Sequence, residues 1–411
     1  MSGDSGSSER ARLFALGRRS FLIGASATAL SACSFIPREP FTAQEQALAE
    51  IPGIPGARIW IDSNEADVRA FLQGTAIFSP SAQVFDFLAL SGGSYDGAYG
   101  AGVIGGWTAA GTRPQFAFVS GVSAGALIAP LAFLGPAYDD ITRNAFTVEA
   151  AQMLGDLGSI FSLLGTADLR HGMLQDLVDK FVDERVLAGV AAEHARGRRL
   201  LILTTNLDAQ RGVIWDMGAI AQAGPQYREL FRNILVASAS IPGLFGPTFI
   251  EVNANGRSFR EMHIDGGATS QFFVLPDVAF INHSRTGASS RARVWVVMNN
   301  NIMPQFEVVQ PGLLTTVSRS FSTLIKSDAK SVLLASGAYF GTDRFHLTFI
   351  DEGFGEWLAA NPDISPGFNS PYMSALYRYG YEKALSPHLW SKNVPLPDTG
   401  GRQRFRLVAE R

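Results

Sequence analysis

An α/β fold, with a mostly parallel central sheet flanked by helices, follows from three features of this chain. The segments Val84-Phe-Asp-Phe-Leu-Ala-Leu90 and Arg199-Leu-Leu-Ile-Leu-Thr-Thr205 are apolar over most of their length, as strands buried on both faces of a parallel sheet are. Strand-like and helix-like segments alternate along most of the sequence, the pattern of βαβ units. Two strands open directly into glycine-rich turns and then into helices, at Ser91-Gly-Gly-Ser-Tyr-Asp-Gly97 and Gly121-Val-Ser-Ala-Gly125. Right-handed crossovers bring both turns to one carboxyl edge of the sheet.

Composition sets the limits. Of 411 residues, 46% are hydrophobic and 17% charged, which supplies a large core and excludes disorder throughout. A net charge of -3 and the lack of any basic stripe give no electrostatic reason to expect a nucleic-acid partner.

In chain order, the first segment reads as an export signal over residues 1–32. Gly17-Arg18-Arg19-Ser20-Phe21-Leu22 has the core of a twin-arginine signal. The apolar and small-residue run from Phe21 to Ala32 is shorter than the roughly 20 residues a membrane span requires, and suits a signal h-region. Leu30-Ser31-Ala32-Cys33 resembles a bacterial lipobox, and Cys33 is the only cysteine. Acylation of Cys33 and attachment to a membrane are therefore expected. Residence in the cell envelope is expected too, at the outer rather than the inner membrane because Ser34 follows the cysteine.

Residues 33–55, with Pro37, Pro40, Pro52 and Pro55, read as a tether carrying a short helix from Thr42 to Glu50, and 56–400 as a single catalytic domain. Within it the expected elements begin with a strand at Ala57–Ile61, a helix at Asn64–Leu72 and the strand Val84–Leu90. A helix from Ala98 to Ala110 follows, stopped by Gly111, and then a strand at Gln115–Val119 with its helix from Ala126. Residues 139–195 read as helical, with a break at Gly165–Asp168. Strands at Arg199–Thr205 and Gly212–Met217 precede a helix at Pro225–Ala237. Asn255-Gly256 joins Phe249–Asn253 to Ser258–Ile264 as a hairpin turn. A strand at Arg293–Met298, a helix at Leu313–Ser336, a strand at Arg344–Ile350, and helices at Pro371–Gly380 and Tyr381–Leu385 complete the domain.

The chemistry concentrates at the two glycine turns. Gly121-Val-Ser-Ala-Gly125 has the G-x-S-x-G form of a nucleophile elbow, set between a strand and a helix as the motif demands. Gly121 and Gly125 let strand and helix approach, and the helix start favours negative charge beside Ser123. The Gly92-Gly93 backbone at the same edge is the candidate oxyanion site. Two bases remain open. A Ser…Asp…His order points to His283, His346 or His388. The other candidate is Asp265, in His263-Ile-Asp-Gly-Gly267, which needs desolvation to raise its pKa into a useful range. No His, Asp or Glu cluster has metal-ligand spacing, so neither metal nor cofactor is expected.

The Gly-rich turn with Gly102, the Gly121–Gly125 elbow, Ala237-Ser-Ala-Ser-Ile-Pro-Gly-Leu-Phe245, Asp265-Gly266-Gly267, and Tyr372-Met with Leu376-Tyr and Tyr379-Gly380 follow one another in an order that resembles the patatin-like phospholipase family. The resemblance implies a patatin-like three-layer architecture and a Ser–Asp dyad without histidine. Ser123 would then be the nucleophile, Asp265 the base, Gly92, Gly93 and Ser94 the oxyanion donors, and a lipid or other acyl ester the substrate. No protein partner is implied. The sequence departs from the family at Ser94, where a third glycine is usual, and at Asp96, where the family carries Arg or Lys. An alternative enzyme is an α/β-hydrolase esterase with a His base. An alternative from another class is a non-catalytic envelope lipoprotein.

Overall fold

The computed structural model describes residues 38–75, 84–155, 167–274, 276, 291–304, 306 and 308–395. The chain divides into two units, Met1–Phe41 and Thr42–Arg411, and every element of the fold belongs to the second. The expected signal over 1–32 and Cys33 lie outside the described residues.

The strands are β1 (Arg58–Trp60), β2 (Phe85–Leu90), β3 (Phe118–Val122), β4 (Arg199–Asn206), β5 (Arg211–Asp216), β6 (Thr248–Ala254), β7 (Arg257–Asp265), β8 (Ala292–Met298) and β9 (Phe345–Phe349). They form one sheet in the order β1-β5-β4-β3-β2-β8-β9, with the β6–β7 hairpin joined through β7 to β4. The stretch β4-β3-β2-β8-β9 is parallel throughout, so most of the sheet has the expected sense. Every residue of β2 is buried, which explains its nearly unbroken hydrophobicity. On one face, Phe87, Phe118 and Leu203 join Phe272, Phe273 and Leu333 in a single apolar cluster. Asn255 and Gly256, at φ 52 and 77°, make the tight hairpin turn their identities predict.

The helices are α1 (Ala43–Ala47), α2 (Glu65–Phe71), α3 (Gly97–Ala109), α4 (Ala124–Leu134), α5 (Asp139–Asn144), α6 (Ala150–Leu154), α7 (Ala167–Phe181), α8 (Glu184–Ala195), α9 (Met217–Gln222), α10 (Arg228–Ser238), α11 (Leu313–Phe340), α12 (Glu352–Ala359) and α13 (Ser370–Leu385). Asn64 caps α2 by accepting the Asp67 amide, and Thr42 and Glu45 form a capping box on α1.

Several expectations are corrected. The two helices expected over 371–385 are one, α13, because Gly380 does not break it. A Cβ at Gly380 would lie 2.4 Å from the Tyr99 carbonyl oxygen. On α3, Gly102 and Gly106 press as closely on the Tyr377 and Tyr381 carbonyls, so the two helices meet backbone to backbone. Glycine in a helix interior costs about 1 kcal/mol of propensity, and this close packing is what offsets it. Helix α11 runs one turn past Ser336. The short helices α9 and α12, capped by Asp216 and Asp351, were not expected.

The tether expected over 33–55 is also shorter. From Thr42 onward the segment belongs to the folded unit: Glu50 pairs with Asn253, and Gln46 donates to Glu261. Glu261 and His263, both fully buried, lie with Arg58 in a charge network. Burial raises the Glu261 pKa, but hydrogen bonds from His263 and Arg58 outweigh it and hold the carboxylate at about 2. This network ties α1 and β1 to the strand that ends at Asp265.

Candidate active site

The site forms where β3 stops. Strand β4 pairs with β3 up to Val122↔Leu203, and its next residue, Thr204, pairs with Asp265 at the end of β7. The opposite edge of β4 is occupied by β5, so β7 takes the place beside β4 that β3 vacates when the chain turns at Ser123. Residues far apart in sequence thus become neighbours through strand register.

The turn is tighter than expected. Strand β3 extends to Val122 and α4 begins at Ala124, so Ser123 alone makes the corner, at φ 53° and ψ -125°. A non-glycine residue in that region is strained by about 1–3 kcal/mol, and its neighbours hold it there. A Cβ at Gly121 would lie 2.6 Å from the Gly125 carbonyl oxygen, and one at Gly125 would lie 2.3 Å from that of Leu90. The Ser123 amide donates to Ser238 Oγ at 3.0 Å, and Ser238 Oγ donates to the Leu203 carbonyl at 2.7 Å. Two residues on, the Ser240 carbonyl accepts the Asp265 amide at 3.0 Å. One short segment therefore fixes the backbones of both Ser123 and Asp265. The sequence marked the segment but gave Ser238 no role.

Asp265 is 4% exposed. Its Oδ1 accepts the Gly267 amide at 2.7 Å, while Oδ2 is buried with no hydrogen-bond partner among the described residues. Burial pushes the carboxyl up to about 7 against the lowering influence of the Ser123 side chain and the Gly267 amide. The Ser123 side chain is thus close enough to lower the Asp265 pKa.

The oxyanion turn needs a correction. The Gly92 amide donates to the Gln271 carbonyl at 3.0 Å, so it is not available to a ligand as placed. The amides of Gly93, Ser94 and Ala124 have no partner among the described residues. Ser94, at φ 54°, holds its left-handed turn without the family's usual glycine. Asn299 and Asn300, just past β8, clamp the turn. Asn299 Nδ2 donates to the Ser91 carbonyl at 2.7 Å, Asn299 Oδ1 accepts the Gly100 amide at 2.9 Å, and Asn300 Nδ2 donates to the Gly92 carbonyl at 2.9 Å. The only sequence signal for these two was a polar run at the end of a buried strand.

Of the histidines considered as bases, His283 lies outside the described residues. His346 stacks on Trp295 at 4.0 Å near the start of β9, at the other end of the strands from Ser123. The His388 amide donates to Ser386 Oγ. No described histidine hydrogen-bonds the Ser123 or Asp265 side chains. Phe272 and Phe273 are core residues. No three His, Cys, Asp or Glu side chains gather as a metal cluster among the described residues.

An apolar slot opens from Ser123. Leu127, Phe146, Leu174, Leu177, Phe245 and Met373 are among its walls, together with Ser94 and Ser123. A π-turn at Ala145–Glu149 carries Phe146 into this wall, and such irregular turns recur at functional sites. The slot holds about 50 Å3, far less than the roughly 300–1,000 Å3 of ordinary ligand pockets. An occupant would have to move side chains apart.

The family model of the patatin-like phospholipases matches residues 88–277. Over that stretch the chain is patatin-like. The mixed, mostly parallel sheet with its flanking helices is that of a patatin-like three-layer fold, and the match supports a lipid hydrolase. No curated protein matches the chain. Among solved structures, VipD from Legionella pneumophila aligns at 12% identity and a TM-score of 0.34, covering 75% of this chain and 68% of that one. The patatin-like match ends before β8, so Asn299 and Asn300 act on its glycine turn from outside the matched stretch.

Proposed function

We propose that the protein is a serine acyl-ester hydrolase acting on lipids, with Ser123 as nucleophile and Asp265 as its base. The observation that carries this reading is a strained, buried serine that lines an apolar slot, beside a carboxylate oxygen with no other partner among the described residues. A base with a pKa near the working pH balances proton affinity against the fraction ionised.

In the first half-reaction Asp265 takes the hydroxyl proton as Ser123 Oγ attacks the ester carbonyl. The charge on the carbonyl oxygen develops toward the amides of Gly93, Ser94 and Ala124, next to the start of α4. The alcohol leaves with the proton from Asp265. Water, deprotonated by Asp265, then attacks the acyl-serine and restores the free enzyme, while the acyl chain occupies the slot lined by Leu127, Phe146 and Leu177.

A fluorophosphonate probe tests the nucleophile, with labelling expected in the parent protein and none in Ser123→Ala. Turnover of p-nitrophenyl esters tests the base. Asp265→Asn that keeps full rate, with one histidine variant dead, would overturn the dyad in favour of a His-dependent esterase. We propose further that the chain is exported as a lipoprotein anchored through acylated Cys33, on the strength of its arginine pair and lipobox. Cys33→Ser should shift it from the membrane to the soluble fraction, and an unchanged distribution would argue against the anchor.

A further inference from the structure

Both half-reactions draw on Asp265, and the side chain beside it has no part in either so far. Gln271 follows the Asp265-Gly266-Gly267 turn and is buried. Its backbone is held from two sides. The amide donates to Asp328 Oδ2 on α11 at 3.3 Å, and the carbonyl accepts the Gly92 amide at 3.0 Å. The turn before it is pinned as well, since the Thr269 and Ser270 amides both donate to the Gly266 carbonyl. The base of the Gln271 side chain is therefore fixed relative to both the glycine turn and Asp265.

That side chain lies against the reacting groups. A Cβ at Gly92 would stand 2.8 Å from Gln271 Oε1 and 3.1 Å from Ser123 Cβ. One at Gly267 would stand 2.9 Å from Asp265 Oδ1 and 3.5 Å from Gln271 Oε1. Two glycines thus leave room for the amide of Gln271 beside the nucleophile and the base together. Gln271 Oε1 and Asp265 Oδ2 are both buried acceptors with no hydrogen-bond partner among the described residues. Buried acceptors call for donors, and two of them around one serine suit a molecule that brings two. Water carries two hydrogens and an alcohol only one.

We propose that Gln271 selects water as the acyl acceptor, holding one hydrogen of the attacking water through Oε1 while Asp265 takes the other. The assignment rests on the hydrolase reading and names the acceptor for its second half-reaction. The water oxygen bonds to the acyl carbon as its first proton passes to Asp265. The bond from that carbon to Ser123 Oγ then breaks, and Asp265 returns the proton to Oγ. The hydrogen held by Gln271 leaves on the carboxylic acid. An alcohol has a carbon where that second hydrogen would be, so its attack draws nothing from Gln271.

Single-turnover kinetics test this on the full-length parent and on Gln271→Met, after circular dichroism shows both folded. Methionine keeps a similar length without the amide oxygen, and the backbone bonds to Gly92 and Asp328 remain. Gln271→Asn, which withdraws the oxygen by one methylene, takes its place if the methionine variant does not fold. Protein in excess meets p-nitrophenyl butyrate in buffer containing methanol. Release of p-nitrophenol reads acylation, intact-protein mass reads the decay of acyl-Ser123, and the products give the ratio of methyl butyrate to butyrate.

Loss of a positioning contact should slow hydrolysis of the acyl-enzyme about 10- to 100-fold and leave acylation and methanolysis within about twofold. The ester-to-acid ratio then rises by the same 10- to 100-fold factor. A merely structural role for Gln271 would slow acylation, hydrolysis and methanolysis together and leave that ratio where it was. A ratio unchanged to within about twofold overturns the assignment of Gln271, whether all three rates fall or none does, while an acyl adduct on Ser123 in the parent keeps the hydrolase reading. A parent that forms no such adduct overturns the hydrolase reading and the role of Gln271 with it.

Discussion

At the scale of single residues, the role proposed for Asp265 carries a thermodynamic cost. Its pKa is raised to about 7 by burial, against an ordinary value of 3.8. The protonated form is therefore favoured by folding, and that contribution to stability is full below about pH 4 and lost as pH rises through about 7. The proposed dyad works with the ionised form, so kcat/KM should fall tenfold per pH unit on an acid limb below about 7. Asp265→Asn should abolish turnover, melt higher than the parent at pH 8 and melt alike at pH 4, as thermal unfolding at the two pH values would show. Ser238 acts differently, by holding the Ser123 amide. Ser238→Ala should lower kcat about tenfold with KM little changed, and cost about 1–3 kcal/mol from the amide left unpaired. Ser123 and Asp265 stood out in the sequence because their glycine-flanked settings are local patterns. Ser238, Asn299 and Asn300 did not, because their work is done through backbone groups of distant segments. Gly92 illustrates the same limit: nothing local shows that its amide is taken by the carbonyl of Gln271.

At the scale of elements, the strands were legible to within a few residues because burial on both faces writes itself into composition. The join between β4 and β7 was not, since Thr204 and Asp265 share no local signal and meet only by register. Helix α13 read as two helices because a glycine weakens an isolated helix, whereas here it allows contact with α3. The glycine turn is similarly constrained. A Cβ at Gly93 would lie 2.2 Å from the Asn299 carbonyl oxygen, so Gly93→Ala must displace either the turn or the end of β8. An oxyanion donor moved by even 1 Å costs about 10²-fold, and kcat for p-nitrophenyl esters should drop by that order while the protein stays folded by circular dichroism.

At the scale of the whole molecule, a buried charge network holds the leading segment against the sheet. The Glu261 pKa is depressed to about 2 from 4.5 because hydrogen bonds from His263 and Arg58 outweigh burial. Its contribution to stability is therefore present above about pH 4.5 and lost as pH falls toward 2. Glu261→Gln leaves Arg58 buried without its counter-charge, and breaking a buried pair in this way costs about 3–5 kcal/mol. The variant should melt well below the parent at pH 7, with the gap narrowing in acid, as calorimetry would record.

Because β8 pairs with β2 along its full length and α13 lies against the glycine face of α3, the stretch matched by the family model cannot stand by itself. A fragment excised at residues 88–277 would bare a central strand edge together with a furrow of naked helix backbone. Such a piece should precipitate or self-associate on expression, whereas one reaching Leu385 should remain dispersed in a sedimentation assay.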